Sequence, residues 1–343
     1  MRIRGPHISA SITHAISRDH SEEDHQRPKS ACLPRLSAFF HFFRLHLTLY
    51  RPADFLALRS QTWLIDEDTY LASFRRDASL VPMGDLGYSG STFFTTPDGR
   101  FLVKSLPRRF EHAFFADELF DPYRAHMVSH PDSLLVRITD MPYAALPSLG
   151  GIVGTAPTHH IVMENLLFDG EEGGNGDGWE TFDLKPVDYF FPERDIASGA
   201  LAPDSVIENL VDRVPQRIVV SAADREKLMR TLEEDTYLLA SHSAVDYSLY
   251  LVRRRRRASS TGGTSSHDWR GGVSDVDGEW TYRCVVLDFF WSKSRLPAQA
   301  MTGLVNTYNV VADQGPMSIT ADPWEYRERF TRMVHGSIVG PSS

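Results

Sequence analysis

Two aspartates and two lysines stand at or on short apolar, β-leaning runs. Asp246 follows Ala244-Val245 and leads into Ser248-Leu249-Tyr250-Leu251-Val252. Asp288 closes Cys284-Val285-Val286-Leu287, and Lys104 ends Phe101-Leu102-Val103. Charges in such places are costly as core and useful as a site. One ammonium and two carboxylates could hold a nucleotide phosphate and its magnesium, because hard carboxylates share that ion with phosphate oxygens. Lysine is rare: only Lys29, Lys104, Lys185, Lys227 and Lys293 occur among 36 Lys and Arg residues. In a chain so reliant on Arg, a Lys in an apolar strand points to a task for a compact point charge rather than a planar fork. Lys185 ends Phe182-Asp183-Leu184, where a surface salt bridge with Asp183 is an equally good account.

The elements that must position these groups read as follows. Gly84, Gly87 and Gly90 precede an apolar run over 92–96, a Pro97-Asp98-Gly99-Arg100 turn and Phe101–Lys104, which predicts a β-hairpin with a glycine loop at its mouth. Strands on both sides of the loop disfavour a dinucleotide fingerprint and fit the way kinases cover phosphates. Helical spacing is predicted over 50–80, over 110–127 with Glu111 and Glu118, over 223–241 and from Asp322-Pro323 onward, with another helix from about 296 to Val311. Strands are predicted at 134–140, 160–164 and 180–185, and Asn165–Phe168 as a crossing between lobes. Residues 1–45 read as a disordered tail because SRDHSEEDHQRPKS has nothing to bury, although Ser37–Leu49 is apolar enough for a helix. Arg253–Arg257 and the Ser/Thr/Gly-rich run behind them read as a disordered insert over 253–279, with an anionic-lipid or nucleic-acid contact as the alternative.

Composition narrows the class. A 343-residue chain that is 42% hydrophobic, with net charge −9, can bury a sizeable core and is unsuited to broad DNA or membrane binding. Cys32 and Cys284 make no disulfide framework and fit a reducing compartment. A secretory leader is not expected and no apolar run approaches the length of a membrane span, so a cytoplasmic location is expected. The His159-His160 pair has no partner at metal-ligand spacing and reads as structural.

SGSTFF (89–94), FLVK (101–104), FDLK (182–185), VDYSLYLV (245–252) and VVLDFF (285–290), in this order and spacing, resemble the phosphatidylinositol phosphate kinases from about Tyr50 onward. YRPADFLALRS, DTYLASF and WEYRERF are weaker echoes. The resemblance implies a two-lobed α+β, lipid-kinase-like fold of the kinase and succinocarboxamide-synthase group. An antiparallel sheet would fill an N-lobe at 46–165, and a smaller sheet with helices a C-lobe at 166–343. It implies ATP and Mg²⁺, a phosphoinositide lipid met weakly and peripherally at a membrane surface, and no nucleic acid. Lys104 would contact the ATP phosphates and Glu111 would orient it, with Ser89, Gly90, Ser91 and Met163 around the nucleotide. Asp246 would serve the attacking hydroxyl as base or orienting group, Lys185 would lie near the transferred phosphate, and Asp288 would bind Mg²⁺. Two departures stand out: Pro186 replaces the Gly-Ser usual after the family's DLK, and the segment after Asp288 has only Lys293 and Arg295 as nearby cations. They leave two alternatives, a catalytically weak nucleotide-binding scaffold or an enzyme of this fold acting on a soluble substrate.

Overall fold

The computed structural model describes residues 4–19, 45–75, 79–83, 91–145, 156–170, 178–187, 189, 196–197, 200–201, 214, 216–256, 268–292 and 318–341. They belong to two units, Met1–Arg109 with Arg137–Phe168, and Phe110–Val136 with Asp169–Ser343.

Strands dominate the first unit: β1 (Thr48–Leu49), β2 (Val81–Met83), β3 (Phe93–Thr95), β4 (Phe101–Leu106), β5 (Ile138–Asp140), β6 (Pro142–Tyr143) and β7 (His159–Glu164). They form an antiparallel sheet in the order β1-β6-β7-β4-β3-β2, with β5 also paired to β7. The predicted hairpin is β3–β4. Its turn needs one left-handed residue, which Gly99 supplies at φ +75°. Register then sorts the side chains. Phe93 pairs with Lys104, Lys104 with Ile161, and Leu102 with Met163. Cross-strand partners and residues two apart share a face. Phe93, Leu102, Lys104 and Met163 therefore line one face, while Phe94, Phe101, Val103 and Val162 line the other, inside the core.

That core is closed by α1 (Arg4–Asp19), where a polar tail is expected. Ile8, Ile12, Ala15 and Ile16 follow helical spacing and are at most 1% exposed, so an apolar stripe holds the helix down. The charged run beginning at Arg18 masked this stripe. Residues 20–44 lie outside the described residues, and Leu45–Leu47 lead into β1 instead of extending a helix over 37–49. Within the span 50–80 predicted as helical, helix covers 52–62 and 67–73: α2 (Pro52–Ala57) runs on as a π-helical turn, Leu58–Thr62, and α3 (Glu67–Ser73) follows an Asp66 cap that accepts from Thr69 N.

In the second unit, α4 (Arg109–Phe114) continues through a π-helical turn, Phe115–Leu119, into α5 (Phe120–Ser129). This predicted helix was placed in the N-lobe by sequence, yet it groups with the later chain, because Phe115 and Tyr123 pack on Phe289 and Phe290 at 5.2–6.4 Å between ring centroids. There follow β8 (Trp179–Leu184), β9 (Ile218–Val219), α6 (Ala222–Ser241), β10 (Ala244–Val245), β11 (Ser248–Arg255), β12 (Val273–Ser274), β13 (Trp280–Leu287), β14 (Trp291–Ser292), α7 (Pro323–Ser337) and β15 (Ile338–Val339). The main sheet is antiparallel, ordered β12-β13-β11-β8, and β10 pairs antiparallel with β14. α6 packs on α7 and β10.

The expected disordered insert is ordered at both ends. Arg253–Arg255 complete β11, and 268–279 return through β12; only 257–267 lie outside the described residues. Arginine suits these positions because its stem packs while its head finds acids and rings. Arg253 is buried, 2.7 Å from Glu180 and over the Trp280 ring; Arg254 pairs with Asp169 and lies over Trp179. Much of the run's charge is thus neutralised within the sheet. The strand predicted at 134–140 is narrower, Ile138–Asp140, with Leu134–Val136 bonded to β13 through Val286. The helix predicted to Val311 lies outside the described residues.

Candidate functional site

Strand register brings Asp246 and Asp288 to one place. Val245 pairs with Trp291 and Ser248 with Leu287, leaving Asp246-Tyr247 opposite Asp288-Phe289-Phe290 where two ladders break. Both aspartates turn the chain in the left-handed region, each at φ +64°. That conformation costs an L-residue roughly 1 kcal/mol, Asp somewhat less, and strain of this kind clusters at functional sites.

Lys185 joins them from the third strand. It sits just past β8, whose Leu184 pairs with Leu249 beyond Asp246. Its Nζ donates to the Asp246 backbone oxygen at 2.7 Å and lies 3.1 Å from Asp246 Oδ2. Lys185 is thus paired with Asp246 across the sheet. The two side chains are 8% and 11% exposed. Asp246 Oδ1 is also buried, yet among the described residues it accepts no hydrogen bond. A carboxylate oxygen left so is a costly acceptor waiting for a donor. Its neighbour is held firmly: Tyr326 Oη donates to the Tyr247 oxygen at 2.6 Å, and the Tyr247 ring packs on Tyr326 and Phe330.

Asp288 is pinned on both sides. Val286 N donates to the Leu134 oxygen at 2.7 Å, while Phe289 and Phe290 are stacked and buried behind it. The Leu134 segment is fixed by residues that the sequence does not single out. Asp235, buried in α6, accepts from Ser133 Oγ and Leu134 N, each at 2.7 Å, and bonds His126 Nε2 at 2.7 Å. Arg270 Nη2 donates to the Ser133 and Leu135 oxygens.

In the first unit, Lys104 is 7% exposed, with Nζ 5.4 Å from the Phe93 ring centroid. Met163 shares its sheet face, and Ser91 is buried just before β3. Ser89 and Gly90 lie outside the described residues. Glu111 is buried in the first turn of α4, in the second unit. His160 is fully buried with neither ring nitrogen hydrogen-bonded among the described residues, and burial pushes its pKa down to about 3. It is a core histidine, as its sequence context suggests.

Among the described residues no group of three or more His, Cys, Asp or Glu could enclose a metal ion. Among the described residues, too, no helix is long and apolar enough to cross a membrane.

Residues 75–271 match the family described as Phosphatidylinositol-4-phosphate 5-Kinase; the match takes in Lys104, Lys185 and Asp246 and ends before Asp288. A 1-phosphatidylinositol 3-phosphate 5-kinase of Homo sapiens is 23% identical over 84% of this chain and 12% of its own length. A phosphatidylinositol 4-phosphate 5-kinase of Schizosaccharomyces pombe is 32% identical over 58% of this chain and 25% of its own. A phosphatidylinositol 4-phosphate 5-kinase type-1 beta of Gallus gallus is 25% identical over 70% of this chain and 42% of its own. The chain thus spans less than half the length of these relatives. With more than half of its residues matched, the chain belongs to the phosphatidylinositol-4-phosphate 5-kinase family.

Proposed function

We propose that this protein transfers the γ-phosphate of Mg-ATP to a headgroup hydroxyl of a phosphatidylinositol phosphate, its two units being the lobes of a lipid kinase. The observation that carries the reading is Asp246: a strained, buried carboxylate, paired through Oδ2 with Lys185, with Oδ1 accepting no hydrogen bond among the described residues. An incoming hydroxyl supplies the missing donor. Asp246 orients it and takes its proton as the oxygen attacks the γ-phosphorus and the bond to ADP breaks. Phosphoryl transfer is catalysed mainly by position and charge neutralisation. In that scheme Lys185 offsets charge near the transferred group, Asp288 holds Mg²⁺, and Lys104 contacts the nucleotide phosphates with Glu111 as its orienting partner. Ser89, Gly90, Ser91 and Met163 complete the nucleotide's surroundings. Bound Mg²⁺ would polarise the phosphate oxygens.

The relatives' names support a phosphoinositide acceptor. Membrane contact is expected to be weak and peripheral, since the net charge is −9 and Arg253 and Arg254 are paired. Pro186 favours a second reading, a nucleotide-binding scaffold, because a proline after Lys185 offers no N–H to an anion there.

Incubation with labelled Mg-ATP and either phosphatidylinositol phosphate vesicles or soluble inositol phosphates separates these readings. Label in the lipid supports the proposal, and chromatography of the product names the hydroxyl. Label in the soluble acceptor alone, or binding of Mg-ATP without transfer to either, contradicts it.

A further inference from the structure

We propose that α1 is a brace for the nucleotide-binding face of the sheet, acting through Ser9 as a positioning residue for Lys104. The inward face of α1 alternates its apolar stripe with polar residues, and Ser9 and Ser11 are as buried as its isoleucines' neighbours, at 2% and 6% exposure. Buried hydroxyls need partners, and these find backbone groups of other segments. Ser9 Oγ accepts from Leu80 N at 2.9 Å, and Ser11 Oγ accepts from Leu45 N at 3.0 Å. Ser17 Oγ donates to the Phe74 oxygen and Arg18 Nη2 to the Leu47 oxygen. Each partner lies where the chain enters or leaves a regular element: before β1, at the end of α3, and directly before β2.

The Ser9 tie matters most for the site. β2 is a three-residue edge strand with Pro82 at its centre, so it offers few ladder donors of its own. It pairs Pro82 with Phe94 and Met83 with Phe93. Phe93 pairs with Lys104 on the same sheet face, its ring centroid 5.4 Å from Lys104 Nζ, and Phe94 points into the core on the other. Gly5, near the start of α1, reaches the same pair of strands: a Cβ there would lie 3.9 Å from both Phe94 and Pro82. α1 therefore supports β2 and β3 from behind while Lys104 stands in front.

This role rests on the nucleotide reading proposed above, and the test keeps the two apart. In the full chain, Ser9→Ala, Ser9→Thr and Ser11→Ala are compared by melting temperature, hydrogen exchange and Mg-ATP affinity. The brace requires Ser9→Ala to speed exchange in peptides covering Leu80–Met83 and Phe93–Thr95 and to weaken Mg-ATP several-fold. Ser9→Thr recovers most of both. Ser11→Ala, which loosens β1, lowers the melting temperature yet keeps affinity within about twofold. Wild-type exchange and affinity in Ser9→Ala would overturn the brace, as would equal affinity losses in Ser9→Ala and Ser11→Ala. If the wild type does not bind Mg-ATP while the exchange difference persists, the mechanical tie stands, and the nucleotide reading and the role for Lys104 fall.

Discussion

Lys185 and Asp246 are buried together, so neither can be removed without stranding the other. Breaking one side of a buried pair costs about 3 kcal/mol or more. Lys185→Met is expected to lower the urea midpoint sharply, and Lys185→Met with Asp246→Asn to recover part of that loss. Additive losses in the double variant would contradict the pairing. Asp288 offers a complementary experiment through its backbone. At φ +64° glycine carries no Cβ penalty, so Asp288→Gly should be more stable than Asp288→Ala by roughly 1 kcal/mol. Both variants should be inactive; equal stability would remove strain from the account. These residues were legible in the sequence because a charge inside an apolar run is conspicuous. Asp235 was not, since an acid within an amphipathic helix looks solvated until its tertiary partners are known. Nor was the Lys185–Asp246 contact, which joins residues 61 apart in sequence.

At the scale of elements, the site depends on α6 and on the chain before β5. Asp235 is the acceptor for Ser133, Leu134 and His126 at once. Asp235→Ala would leave a buried backbone N–H and a hydroxyl without their acceptor, for a loss of about 3 kcal/mol or more in urea unfolding. Asp235→Asn, which keeps one acceptor oxygen, should lose less; equal losses would mean that volume and not hydrogen bonding is what counts there. The strands and helices around the site were largely readable from periodicity and caps, down to Asp322 before α7. Two segments were misread for related reasons. In α1 a charged stretch hid an apolar stripe, and in β11 consecutive arginines looked like a solvated loop although rings and acids on neighbouring strands accommodate them.

For the molecule as a whole, buried and half-buried histidines set a pH dependence: burial lowers the pKa of His112 to about 4 and that of His160 further. His160 has a folded pKa of about 3, against an ordinary value of 6.5. Between those values the unfolded chain takes up a proton that the folded chain refuses. Stability therefore falls as pH drops below about 6.5, by up to roughly 1.4 kcal/mol per pH unit from this group. His160→Phe should flatten that part of the profile, seen as a smaller change in urea midpoint between pH 7 and pH 5; an unchanged profile would assign the acid sensitivity to other groups. The central claim concerns Asp246, and the most direct measurement sets Mg-ATP affinity beside phosphate transfer to phosphatidylinositol phosphate vesicles in wild type and Asp246→Asn. If Asp246 serves the acceptor hydroxyl, the variant keeps its nucleotide affinity within about twofold and loses transfer by about 10²-fold or more. Transfer at the wild-type rate in Asp246→Asn would contradict the account.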